Sequence, residues 1–208
     1  DLELLDDTER DRASRRRAPV PFIRAHALLR RLVGAHTGRP PGALRFGRRC
    51  RACGSDQHGA PLAEGYPDLS ISLSYCDDLA LAALTDGPSV GCDVELVSGA
   101  DFDGFAAVTL ADRERIGVER AVGKQLLTAR TITWARKEAI LKATGYGLLV
   151  DPAHVVVTSP YAAPGLLAWT ADVPAPGPVG VADVPLPDAA HRAAVAVLTD
   201  EPVDLRWL

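Results

Sequence analysis

The sequence predicts an α+β fold of two similar lobes related by a pseudo-twofold axis, and three observations lead there. Apolar residues recur at helical spacing after Pro21 (Phe22, Ala25, Leu28, Leu29, Leu32, Val33), and from Leu69 the period changes to two. Both signals return later in the same order. Phe22, Arg24, Ala27, Leu28, Leu29 and Arg30 are echoed 112 residues on by Trp134, Arg136, Ala139, Ile140, Leu141 and Lys142, and the run from Ala82 to Pro88 is echoed 114 residues on by Ala196 to Pro202. The length, 208 residues at 47% apolar and 24% charged, suits one large domain or two small packed ones, divided as 1–100 and 101–208.

In chain order, Thr8 to Arg17 reads as a charged helix and Pro21 as the opening of a second, which Gly34 or Gly38 ends. The Gly/Pro/Arg/Cys-rich stretch 37–65 reads as loop, with one short strand around Leu44 and Phe46. Leu69, Ile71 and Leu73 alternate with Ser70, Ser72 and Ser74, predicting a half-buried strand. The unbroken apolar run Leu79–Thr85 predicts a more central strand, turned at Asp86-Gly87-Pro88. In the next strand Val90, Cys92, Val94 and Leu96 share one face and Gly91, Asp93 and Glu95 the other. A helix from Ile132 to Thr144 buries Ile132, Ala135, Ala139, Ile140 and Ala143, places Trp134, Glu138 and Lys142 on another face, and ends at Gly145 and Gly147.

Net charge is −4, but residues 10–51 hold thirteen arginines against one acid. Such a segment suits a polyanion, whether nucleic acid, membrane or a phosphorylated small molecule; for any single arginine the plainer reading is a solvated helix face. No run of about 18 apolar residues and no signal-like start is present, so a cytoplasmic protein without membrane contact is expected. Reduced thiols are expected at Cys50, Cys53, Cys76 and Cys92. Cys50-x2-Cys53-x4-His58 is a partial zinc pattern with Cys76 as a conceivable fourth ligand, but a lone C-x-x-C lacks its second half, so metal-free thiols are the expectation. Cys92 points to the core side, and His36, His154 and His191 read as ordinary surface or loop residues.

Asp93 and Glu95 stand side by side on one strand face, and like charges at that spacing need solvent or a hard cation such as Mg²⁺. The plain alternative is a solvated strand edge. For Glu138 and Lys142 it is an exposed i,i+4 ion pair worth a few tenths of a kcal/mol.

Together, Gly91-Cys92-Asp93-Val94-Glu95, the later Trp134-Ala135-Arg136-Lys137-Glu138-Ala139 and Lys142 resemble the paired signature of the 4'-phosphopantetheinyl transferases, of the surfactin-synthetase-activating type. The resemblance extends through Ser72-Leu73-Ser74-Tyr75 and the His58-Gly59-Ala60-Pro61 loop to the helix around Arg24. It implies two α+β lobes, each a helix plus an antiparallel sheet, with the active site in the cleft between them. It implies transfer of 4'-phosphopantetheine from coenzyme A to a serine of an apo acyl or peptidyl carrier protein, in fatty-acid, polyketide or nonribosomal peptide assembly, with release of 3',5'-ADP. Mg²⁺ would lie on Asp93, Glu95 and Glu138. Glu138 would also take the serine proton, and Lys142 would neutralise phosphate charge. Arg12 (or Arg15), Arg24, His58, Gly59, Ser74, Tyr75, Asp93 and Lys142 would contact coenzyme A. Coenzyme A and a carrier protein are then the expected partners of a monomer, with no nucleic acid.

Two departures stand out: Tyr75 where the family has His after Ser74, and Ala60 where it has a basic residue, for which Arg48, Arg49 or Arg51 could compensate. They keep a catalytically impaired carrier-binding relative as an alternative. A Mg²⁺-dependent phosphodiesterase is a further one, disfavoured by the scarcity of aromatics for base stacking.

Overall fold

The computed structural model describes residues 1–51 and 53–208. Helix α1 (Asp7–Ser14) is closed by a capping box, the Asp6 carboxylate accepting from Glu9 N while Glu9 accepts from Asp6 N. It ends three residues short of the predicted Arg17. Helix α2 (Pro19–Thr37) starts two residues earlier than expected, with Pro19 in its first turn where a missing N–H costs nothing, and ends at Gly38 in the left-handed conformation (φ 70°).

Among the described residues the strands form four antiparallel assemblies. Strands β1 (Phe46–Arg49) and β2 (Ala60–Ala63) form a hairpin, with Arg49 opposite Ala60. Ala60 and Pro61, read from sequence as loop, are therefore strand, and the expected strand near Leu44 begins at Phe46. Strands β3 (Leu69–Cys76) and β4 (Leu79–Asp86) form the second hairpin. Among the described residues β4 pairs with β3 alone and its side chains are half-buried, so it is an edge strand and not the central one its apolar run suggested. One face of that run packs on α2, which accounts for its composition. Strand β5 (Val90–Leu96) lies in a three-stranded sheet of order β5-β9-β8 with β8 (Gly180–Asp183) and β9 (His191–Val197). Strands β6 (Val155–Val157) and β7 (Leu166–Trp169) form the last pair. The acidic strand of the first half thus hydrogen-bonds to the last strand of the second.

Two short helices unmarked in the sequence reading, α3 (Phe105–Thr109) and α4 (Asp112–Val118), precede α5 (Gly123–Thr144). Helix α5 begins nine residues before the expected start. It is buried nearly all round from Ala129 to Thr144, Glu138 included, while Ile132, expected in the core, is only half-buried. A helix enclosed on all sides carries no amphipathic stripe to read.

Two charged residues of α5 are structural. Lys137 is 0% exposed, its ammonium donating to Glu114 (2.6 Å) and to the carbonyls of Thr109 and Pro152. Arg136 makes a forked pair with Asp183 (2.6 and 2.7 Å). In α2, fully buried Arg30 likewise binds Asp6 and Glu9, and the Glu9 carboxylate accepts from His26 Nδ1 at 2.8 Å. Arg30 therefore leaves the basic surface that the sequence count assigned to it. His191 is buried beside Asp188, which corrects its reading as a surface residue.

The two faces of β5 do different work. Val90, Cys92 and Val94 pack with Ala193, Val195 and Val197 of β9 in an apolar core. Gly91, Asp93 and Glu95 face α5, where neighbouring β9 offers small Ala194 and Ala196. Gly91 permits the close approach: a Cβ there would sit 2.0 Å from Ala139 O and 2.4 Å from Ala143 N. The other edge of β5 meets side chains in place of a ladder, because Val90 N and Cys92 N donate to the hydroxyls of Ser70 and Ser72 on β3.

Candidate functional site

The close contact at Gly91 brings one stripe of α5 onto the acidic face of β5. Trp134 Nε1 donates to Glu95 Oε1 at 3.1 Å, and one turn further on Glu138 lies close enough to Asp93 and Glu95 to feel both charges. One more turn on, Lys142 Nζ donates to Asp93 Oδ1 (2.6 Å), Ser74 Oγ (3.1 Å) and the Cys92 carbonyl (3.1 Å). Ser74 Oγ in turn donates to the same Asp93 oxygen at 2.8 Å. The expected shared face of Trp134, Glu138 and Lys142 is observed, but it is not a solvated one. Asp93 is 2% and Glu138 8% exposed, and Lys142 pairs with Asp93 and not with Glu138.

Electrostatics follow from this packing. Burial, then the Asp93 charge, pushes the Glu138 carboxyl up to about 7, with Lys142 opposing and Glu95 adding. Burial and Asp93 raise Glu95 as well, against the Trp134 hydrogen bond and Lys142. For Lys142 burial works against the ammonium, but the Asp93 carboxylate outweighs it and the shift is upward. Asp93 Oδ2 and Glu138 Oε1 are buried without a hydrogen-bond partner, although most buried polar atoms have one. Two unsatisfied hard oxygens suit a Mg²⁺ ion, which takes one or two protein carboxylates and fills its remaining positions with water and substrate phosphates, whereas the carboxylates of Asp93, Glu95 and Glu138 do not all lie within 4.8 Å of one another.

Lys142 also reaches an open cleft of about 1030 Å³. Arg12, Arg15, Arg16 and Arg48 line its walls, along with Tyr75, His58 and Gly59. Arg48 is held below the usual guanidinium range by burial and then by the charge of Arg12, with Arg16 adding, so cations are crowded there without enough acid to balance them. Such crowding favours an anionic occupant. Arg24 is exposed and does not line this cleft. Arg51 is spent elsewhere, donating to Thr144 O (2.6 Å) and lying over the Tyr146 ring. Of the three arginines weighed as substitutes for a basic residue at Ala60, Arg48 is the one in the cleft. Arg16, which the sequence reading did not single out, stands over the Phe22 ring at the cleft wall. Its only signal was membership of the basic run.

An α+β chain with a buried carboxylate cluster at the junction of a strand and a helix, next to a basic cleft, is the class these observations define. Residues 89–176, which carry β5 and α5, match the model of the 4'-phosphopantetheinyl transferase superfamily (ACPS). It is 30% identical over 128 residues to the 4'-phosphopantetheinyl transferase HetI of Nostoc sp., covering 61% of this chain and 52% of the relative. It is 31% identical over 90 residues to the 4'-phosphopantetheinyl transferase AcpT of Salmonella typhimurium, covering 43% and 47%. The chain therefore spans about half the length of the curated relatives it matches. Among solved structures, a holo-(acyl-carrier-protein) synthase from Bacillus anthracis in complex with CoA (3',5'-ADP) superposes with TM-score 0.45 at 21% identity, over 52% of this chain and 93% of that one. The holo-[acyl-carrier-protein] synthase AcpS from Neisseria meningitidis gives 0.39 at 17%, over 52% and 95%.

Proposed function

We propose that the chain transfers the 4'-phosphopantetheine arm of coenzyme A to a serine of an apo acyl or peptidyl carrier protein, as a member of the surfactin-synthetase-activating type. The observation that supports this most is the pair of unsatisfied buried oxygens, Asp93 Oδ2 and Glu138 Oε1, next to Lys142 at the cleft. The serine oxygen forms a bond to the β-phosphorus, the pyrophosphate bond breaks, and 3',5'-ADP leaves. Glu138, near neutrality at about 7, accepts the serine proton. Lys142 stays charged and is aimed by Asp93 and Ser74 at the transferred phosphate, where it offsets developing negative charge. Mg²⁺ held by Asp93, Glu95 and Glu138 would neutralise the pyrophosphate when bound. Arg12, Arg16 and Arg48 hold the remaining phosphates, with Tyr75, His58 and Gly59 along the same wall.

The test is mass spectrometry of an apo carrier protein incubated with the chain, coenzyme A and Mg²⁺, with and without chelator. A phosphopantetheine adduct that needs Mg²⁺ and is lost in Asp93→Ala supports the assignment. Carrier binding without an adduct would make the chain an inactive relative, and an adduct undiminished by Asp93→Ala would refute the metal residues. Among the described residues no helix is long and apolar enough to cross a membrane.

A further inference from the structure

Residues 50–59 close the β1–β2 hairpin, yet this segment contains no large apolar side chain with which to pack itself. Ordering such a loop costs about 1 to 2 kcal/mol of backbone entropy per residue, and the Arg51 bond to Thr144 O anchors only its beginning. Three side chains converge there. The Sγ atoms of Cys50 and Cys53 and a ring nitrogen of His58 all lie within 4.8 Å of one another, the one set of three such donors found among the described residues. Cys53 Sγ and His58 Nε2 are 3.4 Å apart. In a tetrahedral zinc site with Zn–S near 2.3 Å and Zn–N near 2.0 Å, the S···N edge is about 3.5 Å.

The backbone is shaped to make this convergence. Gly54 N donates to Cys50 O and Cys50 N to Ser55 O, a tight turn that folds Cys53 back over Cys50 with Gly54 at φ 72°. Gly59, at φ 102°, lets the chain cross so close to Arg49 that a Cβ would lie 2.3 Å from Arg49 O, which returns His58 to the cysteines.

We propose that Cys50, Cys53 and His58 bind a zinc ion that clips this loop into the wall of the cleft. Two thiolates and an imidazole select zinc over magnesium, so the site is chemically separate from the carboxylate cluster. Cys76, the fourth ligand considered from sequence, is not part of the set. All three ligands line the cleft, so the fourth position takes water or an oxygen of the cleft's occupant. His58 then anchors the loop, and anion contacts from this wall fall to Arg48, whose side chain is braced by the Gly59 carbonyl at 3.1 Å.

The test is metal content. Reduced protein purified without chelator should retain about one zinc per chain, and Cys53→Ser and His58→Ala should each lower that about tenfold or more, while Asp93→Ala leaves it unchanged. Cobalt loaded into stripped protein should give thiolate-to-metal charge transfer and the intense visible bands of a tetrahedral site. Absence of both zinc and the cobalt spectrum in the wild type would overturn the proposal, as would metal content indifferent to both substitutions. If Cys53→Ser does not fold, thiol-alkylated wild-type protein replaces it: loss of the cobalt spectrum on alkylation supports the site, and a persisting spectrum refutes it.

Discussion

Replacing Glu138 with glutamine separates a buried catalytic carboxylate from an ordinary surface residue in both stability and rate. The carboxyl has a folded value of about 7 against 4.5 in the unfolded chain, so the native state binds its proton more tightly. Stability is therefore unpenalised below 4.5, falls as pH rises from 4.5 to 7, and above 7 carries a full cost of about 3 kcal/mol. Glutamine does not ionise and avoids that cost. In chelator, the gain in unfolding free energy of Glu138→Gln over wild type should be about 2 kcal/mol larger at pH 8 than at pH 5, measured by urea titration. Mg²⁺ should then raise the wild-type melting temperature and leave the variant unmoved. Single-turnover transfer should drop at least about a hundredfold. A helix-surface ion pair with Lys142 would instead lose a few tenths of a kcal/mol at both pH values. A pH-independent difference, or full turnover, would refute the buried-base assignment.

Three further substitutions probe the frame around the site. Gly91→Ala should destabilise by about 3 kcal/mol and abolish turnover, because its Cβ overlaps the α5 backbone at Ala139 and Ala143; a melting curve like the wild type's would contradict the close-contact argument. Lys137→Met should cost about 3 kcal/mol by leaving the buried Glu114 carboxylate without its cation, yet keep kcat within about twofold wherever the chain is folded; a loss of kcat without a loss of stability would make Lys137 catalytic. Arg48→Ala should raise the KM for coenzyme A roughly tenfold, whereas Arg24→Ala, outside the cleft, should change it less than about twofold; the reverse order would restore Arg24 as a coenzyme contact.

The parts of the site legible in sequence were those set by local periodicity. The alternation in β5 put Asp93 and Glu95 on one face, and the spacing of four in α5 lined up Trp134, Glu138 and Lys142. What local pattern could not show was which pairs form across the interface. Lys142 neighbours Glu138 in the helix, but Gly91 lets α5 settle so deeply that the ammonium reaches Asp93 instead. The first nine residues of α5, Gly123–Thr131, went unread because they are exposed or half-buried apart from Ala129 and Thr131 and carry too few apolar residues to set a helical period. The basic arm misled in the opposite direction. A count of arginines cannot tell Arg30, buried against Asp6 and Glu9, from Arg48 in the cleft. Two short helices, α3 and α4, fell below the length at which a 3.6-residue period can be distinguished from chance.

The serine row of β3 makes the alignment of two neighbouring hairpin and sheet edges a matter of side-chain spelling. An ordinary ladder tolerates any sequence, because every residue brings the same amide and carbonyl. Here the amides of Val90 and Cys92 are met by hydroxyls at every second position, Ser70 and Ser72, and the third hydroxyl, Ser74, meets the carboxylate of Asp93. A slip by one residue would set Ile71 and Leu73 against those amides and strip Asp93 of a partner in the same movement. Correct assembly of the fold and correct aim of the acidic strand are therefore read by one row of three hydroxyls, so a chain that has mispaired here has also disarmed itself.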